Sequence, residues 1–297
     1  MWPAQPNQIQ MRSLILPILV SILFSPALVD AQGFFLRVGG GYALGASGDD
    51  SGSQLVIRDL GNRETVIFSS LGQGALFGLA VGYLFNENIG LQVGAEYLAG
   101  VSHTTSSIEA TSLLESTSSS KGSQFRLLPA VIVRGGLGSL DPYARIGLCL
   151  PLSSTTQNQI STTETDAVTG TTVETRYEEE IKGALNLGFT GAFGVNYAVS
   201  SQLALFAEVG GISQRTHGES GQVTRWESDG TNLLDQANTF TTQWNYQDEL
   251  TPESNSTVTG TDLNPDMPED RIQITQNFNS FFFKVGVTIL LGGASFD

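Results

Sequence analysis

Charge is scarce in this 297-residue sequence. Only 14% of residues are Asp, Glu, Lys or Arg, against about 25% in ordinary soluble domains, which argues against a conventional cytosolic enzyme. Cysteine is nearly missing: Cys149 alone cannot close an intramolecular disulfide, so stability must come from elsewhere. Histidine occurs only at His103 and His217, and no Cys/His spacing suits a metal centre. No Gly-rich loop has the spacing that cradles a phosphate. After residue 31 no apolar run approaches the roughly 18 residues of a spanning helix. Basic residues are few, 14 against 29 acids for a net charge of −15. A phosphate backbone needs a basic surface, so nucleic acid is excluded as a partner. No cofactor is expected.

What is present begins with an export pattern. Met11-Arg12 gives a short basic start, Leu14 to Leu23 an apolar stretch, and Val29-Asp30-Ala31 a small-residue cleavage site before Gln32. Residues 1–31 are expected to be a signal peptide and residues 32–297 the mature domain. Residues 1–10 read as a spurious extension, with Met11 the true start.

The mature chain is built from period-2 segments rich in apolar residues, Gly and aromatics. Eight are evident, at residues 34–46, 74–85, 89–101, 124–136, 143–152, 183–197, 202–212 and 281–291. The connections after the second, fourth and sixth are tight. Those after the first, third, fifth and seventh are long, about 27, 22, 30 and 68 residues. Pro129, inside the fourth segment, lacks a ladder N–H and is expected to mark a bulge.

Each segment has two chemically different faces. In the second, Phe77, Leu79, Val81, Tyr83 and Phe85 oppose Gly74, Leu76, Gly78, Ala80 and Gly82. A soluble sandwich would carry dense charge on its polar face. Here that face holds Gly, small residues and isolated ions, which suits the inside of a narrow closed barrel with its bulky face toward lipid. Together with the alternating connections this implies an all-β fold, an eight-stranded antiparallel up-and-down transmembrane β-barrel with four long extracellular loops. A ten-stranded variant would recruit residues 222–248. Aromatics near the segment ends (Phe34, Phe35, Tyr83, Phe85, Tyr97, Phe125, Tyr143, Tyr197, Phe281) fit an interfacial girdle.

FFLRVGGGYALG after the cleavage site, then PYARIGL and LALFAEVGG, resemble the outer-membrane protein β-barrel domain family, of OmpA/OmpX-like type, over about residues 33–291. The resemblance implies a bacterial outer-membrane location. It departs from the family at Ala294-Ser295-Phe296-Asp297, where the usual terminal aromatic is penultimate. Outer-membrane lipid and lipopolysaccharide are the expected surroundings of a monomer.

Seven charged residues share the inward parity: Arg37, Glu96, Arg126, Arg134, Arg145, Glu208 and Lys284. An eight-stranded lumen has room for side chains only. Buried charges there must pair, so Glu96 and Glu208 are each expected to contact one of the arginines. Such a network either plugs the barrel or lines a gated pore. The acidity lies elsewhere, since the four long connections sum to about −16. Leu55-Val56-Ile57 and residues 173–177 read as strands that extend the barrel, while Ser102–Ser123 reads as a mobile connection. Trp226, Phe240, Trp244 and Tyr246 form either a binding surface for an extracellular ligand or a small local core.

Two function classes follow. The barrel is a non-enzymatic anchor whose acidic loops bind or shield, or a narrow porin-like transport barrel for small solutes. A lipid A-modifying enzyme would need His103 with Ser102 and Glu109. Ser is so common here that the pair carries little weight, and no catalytic residue is assigned. Asp262, Asp266, Glu269 and Asp270 lack the glycine and spacing of a calcium loop, and no metal site is assigned.

Overall fold

In the computed structural model, residues 33–46, 50–58, 61–110, 113–135, 139–260 and 262–291 are described. The expected signal peptide and the closing Ala294–Asp297 lie outside them. Numbered in chain order, the strands are β1 (Gly33–Gly45), β2 (Asp50–Arg58), β3 (Gly61–Phe68), β4 (Gly74–Leu84), β5 (Ile89–Gly100) and β6 (His103–Ala110). Then come β7 (Leu114–Arg134), β8 (Leu140–Thr165), β9 (Thr172–Gly183), β10 (Gly188–Ala198), β11 (Leu203–Ser213) and β12 (Arg215–Ser228). The last are β13 (Thr231–Asn232), β14 (Gln243–Gln247), β15 (Glu269–Ile272), β16 (Thr275–Asn277) and β17 (Ser280–Leu291).

Eight of these pair in a closed antiparallel ring, β1–β4–β5–β7–β8–β10–β11–β17. It closes through β1 and β17, from Phe34 opposite Leu291 to Gly45 opposite Ser280. The fold is therefore all-β and barrel-like, and closure leaves these strands no open edge. Among the described residues no helix is long and apolar enough to cross a membrane, which says nothing about strands.

Side-chain direction follows strict alternation. Along β5 the even residues from Gly90 to Gly100 are buried, while Ile89, Val93 and Tyr97 are exposed. Phe77, Leu79, Val81, Ile146, Phe193, Val209, Phe281, Phe283 and Val285 also point outward and are exposed. The girdle expectation is corrected at two positions. Phe35 and Tyr143 point inward and are buried, because each alternates with an outward neighbour.

Eight strands were expected in the ring, with extensions at residues 55–57 and 173–177 that fall in β2 and β9, and the described residues hold seventeen. The nine others belong to the long connections. They join the upper halves of β7 and β8 in a second sheet above the ring, ordered β3–β2–β6–β7–β8–β9–β12–β14–β15. We call this sheet the crown. Residues 222–248, expected in the ring of the ten-stranded variant, enter the crown instead. Ser102–Ser123, expected to be a mobile connection, is mostly β-structure, with His103 opposite Ser120. Its Ser/Thr residues fit a pleated surface and bridge strands through hydroxyls, as Ser116 does with Thr162 at 3.0 Å.

The bulge is not at Pro129. Register between β7 and β8 is the same before and after it, from Leu127 opposite Leu150 to Ala130 opposite Gly147. The ladder lapses there and resumes, as the missing N–H requires. The bulge lies higher, where Phe125 opposes Ser153 and Arg126 opposes Pro151, leaving Leu152 extra. One extra residue inverts parity. Below it Tyr143, Arg145 and Cys149 face in; above it Ser154 and Thr156 do.

Candidate functional site

The lumen is filled in layers. Climbing β17 from its C-terminal end, the buried inward side chains are Leu290, Thr288, Lys284, Phe282 and Ser280. At the lower end, beside the tight turns, Phe35, Leu84, Ile132, Tyr143, Ala204 and Leu290 form an apolar layer. At the upper end a second layer includes Leu71, Leu76, Leu98, Ile212, Phe278 and Phe282. Leu71 and Phe278 come from the connections, not from ring strands. Leu71 donates its backbone N–H to Asn277 at 2.9 Å, and Ser70 Oγ donates to the Asn279 carbonyl at 2.7 Å. The two connections thus fold over the mouth.

Between the apolar layers lies an ionic one. Arg126 donates from Nε and Nη2 to Glu96 Oε1 at 2.9 and 2.6 Å. Arg145 grips Glu208 with two donors, Nε to Oε2 at 3.1 Å and Nη2 to Oε1 at 2.7 Å. This fork geometry is the strong form of a carboxylate pair. Lys284 joins the two halves. Its Nζ pairs with Glu96 and lies 3.8 Å from Glu208. Arg37 donates to the Tyr143 hydroxyl, stands 4.0 Å from Glu208, and has its guanidinium carbon 4.2 Å from the Phe206 ring centroid. That cation–π contact works only because Phe206 lies close over backbone. A Cβ at Gly39 or Gly286 would come within 2.7 and 2.6 Å of its ring.

Six of the seven inward charged residues therefore meet in one cluster, and Arg134 does not. It donates to Asp141 at 2.6 Å at the lower rim, where Asn196 also donates to Asp141 at 3.0 Å. Sequence reading missed Asp141. Its signal was parity, since it stands two residues before the inward Tyr143, but it falls in the tight turn Leu137–Pro142. A small cavity of about 60 Å³ remains beside the cluster, lined by Arg37, Gln92, Glu96, Arg145, Glu208 and Lys284 among others. It has room for a few water-sized molecules.

Above the ring, Trp226, Trp244 and Tyr246 pack with Ile181, Val223, Tyr177 and Leu234. Trp244 is fully buried against Gly221, where a Cβ would sit 2.3 Å from the indole, and Arg271 covers the ring at 4.1 Å. Phe240 stands apart, half-buried in a short helical turn. The four acids at the end of the long connection do not converge. Glu269 pairs with Arg271 at 2.6 Å, and Asp270 accepts from Gln247 and from the Asn255 backbone. Among the described residues no three His, Cys, Asp or Glu side chains are placed to hold a metal ion.

The histidines do not assemble a catalytic group. Glu109 lies six residues along β6 from His103, roughly 20 Å for extended chain. His217 is on β12, four strands away across the crown. His103 is half-buried, and burial lowers its pKa against a weaker opposing hydrogen bond to the Val101 backbone. The unfolded chain therefore takes up this proton more readily than the folded one. Stability from neutral His103 is present above about pH 6.5 and is lost as the pH falls below it. Amide exchange protection in β6 and β7 is expected to drop in that window. His103→Gln should flatten the dependence, and equal slopes in both proteins would refute it.

A family model described as outer membrane protein beta-barrel domain matches residues 16–247. Two solved structures from Acinetobacter baumannii are similar. CarO2 is 12% identical with a TM-score of 0.32, covering 86% of this chain and 99% of that one. CarO is 13% identical with a TM-score of 0.30, covering 86% and 98%. No curated protein matches. With that family pattern running through most of its length and a closed ring of eight strands beneath it, the chain belongs to the outer membrane protein beta-barrel domain family.

Proposed function

We propose that this protein is a non-enzymatic outer-membrane anchor: the ring spans the bilayer, and the acidic crown stands on the cell surface to bind or shield. The observation that carries the reading is the filled lumen. A salt-bridged layer sits between two apolar layers, and the central cavity is only about 60 Å³. An open pore would need a continuous polar path, so the arrangement favours an anchor over a transport barrel. The outward band of Phe, Leu, Val and Ile supports contact with outer-membrane lipid and lipopolysaccharide. The even strand number puts both ends of the ring, Gly33 and Leu291, on the side of the tight turns, which by the usual arrangement is periplasmic.

Because the crown is paired sheet with its own apolar cluster, it offers a shaped surface for an extracellular ligand. The protein acts as a monomer in this reading, since its ring needs no second chain to close. Planar-bilayer recording on the purified full chain tests it. The expected result is no steady conductance, and a stable, large ohmic conductance would replace the anchor with the transport alternative.

A further inference from the structure

We propose that the central cavity is a binding site for one small monovalent anion, a halide such as chloride. The first observation is charge. Arg37, Arg145 and Lys284 line the cavity against Glu96 and Glu208, three cations to two carboxylates. Arg126, behind Glu96, adds a fourth cation. All six are almost wholly buried, and apolar layers lie above and below them. A buried positive excess is costly unless a counter-charge accompanies it. Among the described residues no other carboxylate lines this space. Asp141 is occupied with Arg134 and Asn196 at the lower rim.

The second observation is an unused donor. Arg37 is 6% exposed and lines the cavity, and its Nε has no hydrogen-bond partner. Gln92, also lining the cavity and buried, has an unpaired amide oxygen. A half-turn of that amide would exchange the oxygen for its NH₂ group. Size selects the ligand. A cavity of about 60 Å³ accepts a halide with a water or two and rejects gluconate.

Bromide is the direct probe. Crystals of the full chain grown in bromide are expected to give one anomalous peak inside the ring, within hydrogen-bonding reach of Arg37 and Lys284. Lys284→Met, which halves the cluster's positive excess from two to one and removes a donor beside the cavity, should lose that peak while keeping the fold. Arg37→Gln serves the same purpose if the first variant does not fold. In solution, thermal unfolding at constant ionic strength is expected to show a saturable rise in Tm with chloride over gluconate, absent in the variant. An empty cavity at saturating bromide overturns the proposal. A peak that persists in the folded variant overturns the charge argument as well.

Discussion

Glu208→Leu is expected to lower the unfolding free energy by about 3–5 kcal/mol, the cost of leaving buried charge without its partner. Glu208 is the junction of the ionic layer. It takes two hydrogen bonds from Arg145 and one from the Tyr143 hydroxyl, and it faces both Arg37 and Lys284. Without it Glu96 alone must serve four cations between two apolar layers. The apolar replacement fills space but offers no acceptor. Glu208→Gln keeps the shape and one acceptor, so its loss should be smaller, and the gap between the two variants isolates charge from packing. The exposed Arg225–Glu227 pair has a similar contact distance, 2.8 Å, yet water screens it and it should matter little. Urea unfolding in detergent measures the effect. Trp226 and Trp244 both lie in the crown, so far-ultraviolet circular dichroism, which follows the whole sheet, is the appropriate signal. A change below about 1 kcal/mol would mean that the ionic layer is not buried as described.

How much of this was legible in the sequence depends on contrast between neighbouring residues. In β4 and β5, Phe, Leu or Val alternates with Gly and single ions, and the parity of Glu96, Arg126, Arg145, Glu208 and Lys284 could be read directly. In β6 and the upper parts of β7 and β8, Ser, Thr and Glu occupy both faces. A period of two leaves no hydrophobic trace there, so strands appeared as loops. Residue spacing also hides closure devices that depend on tertiary structure. Leu71 and Phe278 are isolated apolar residues within long connections, and nothing nearby in the sequence says that they meet over the lumen. Leu152 shows a third limit. Either parity reads plausibly through Leu150–Ser154, and only pairing against Phe125 and Arg126 reveals the extra residue. Pro129, by contrast, lacks a ladder N–H and still leaves register unchanged, because a strand can omit a ladder bond without shifting.

Leu79→Arg separates a lipid-facing wall from a water-facing one. Leu79 is at the centre of β4, opposite Val38 on one side and Ala95 on the other, and its side chain is about half exposed. On a surface bathed by water, such a substitution changes stability by no more than about 0.5 kcal/mol. At the middle of a bilayer, a cation on the outer face of a barrel strand costs about 2–4 kcal/mol, falling toward zero near the interfaces. The expected result for the full chain folded into phospholipid vesicles is therefore a loss of about 2–4 kcal/mol for Leu79→Arg. A smaller loss is expected for Phe34→Arg, because Phe34 stands at the lower end of the ring beside Tyr83. The gradient is the informative quantity. A cation disturbs local packing at either height, but only a membrane makes the penalty depend on distance from the rim. Equal, small losses at both positions would remove the bilayer from the outer face of the ring, and with it the assignment of the crown to the cell surface.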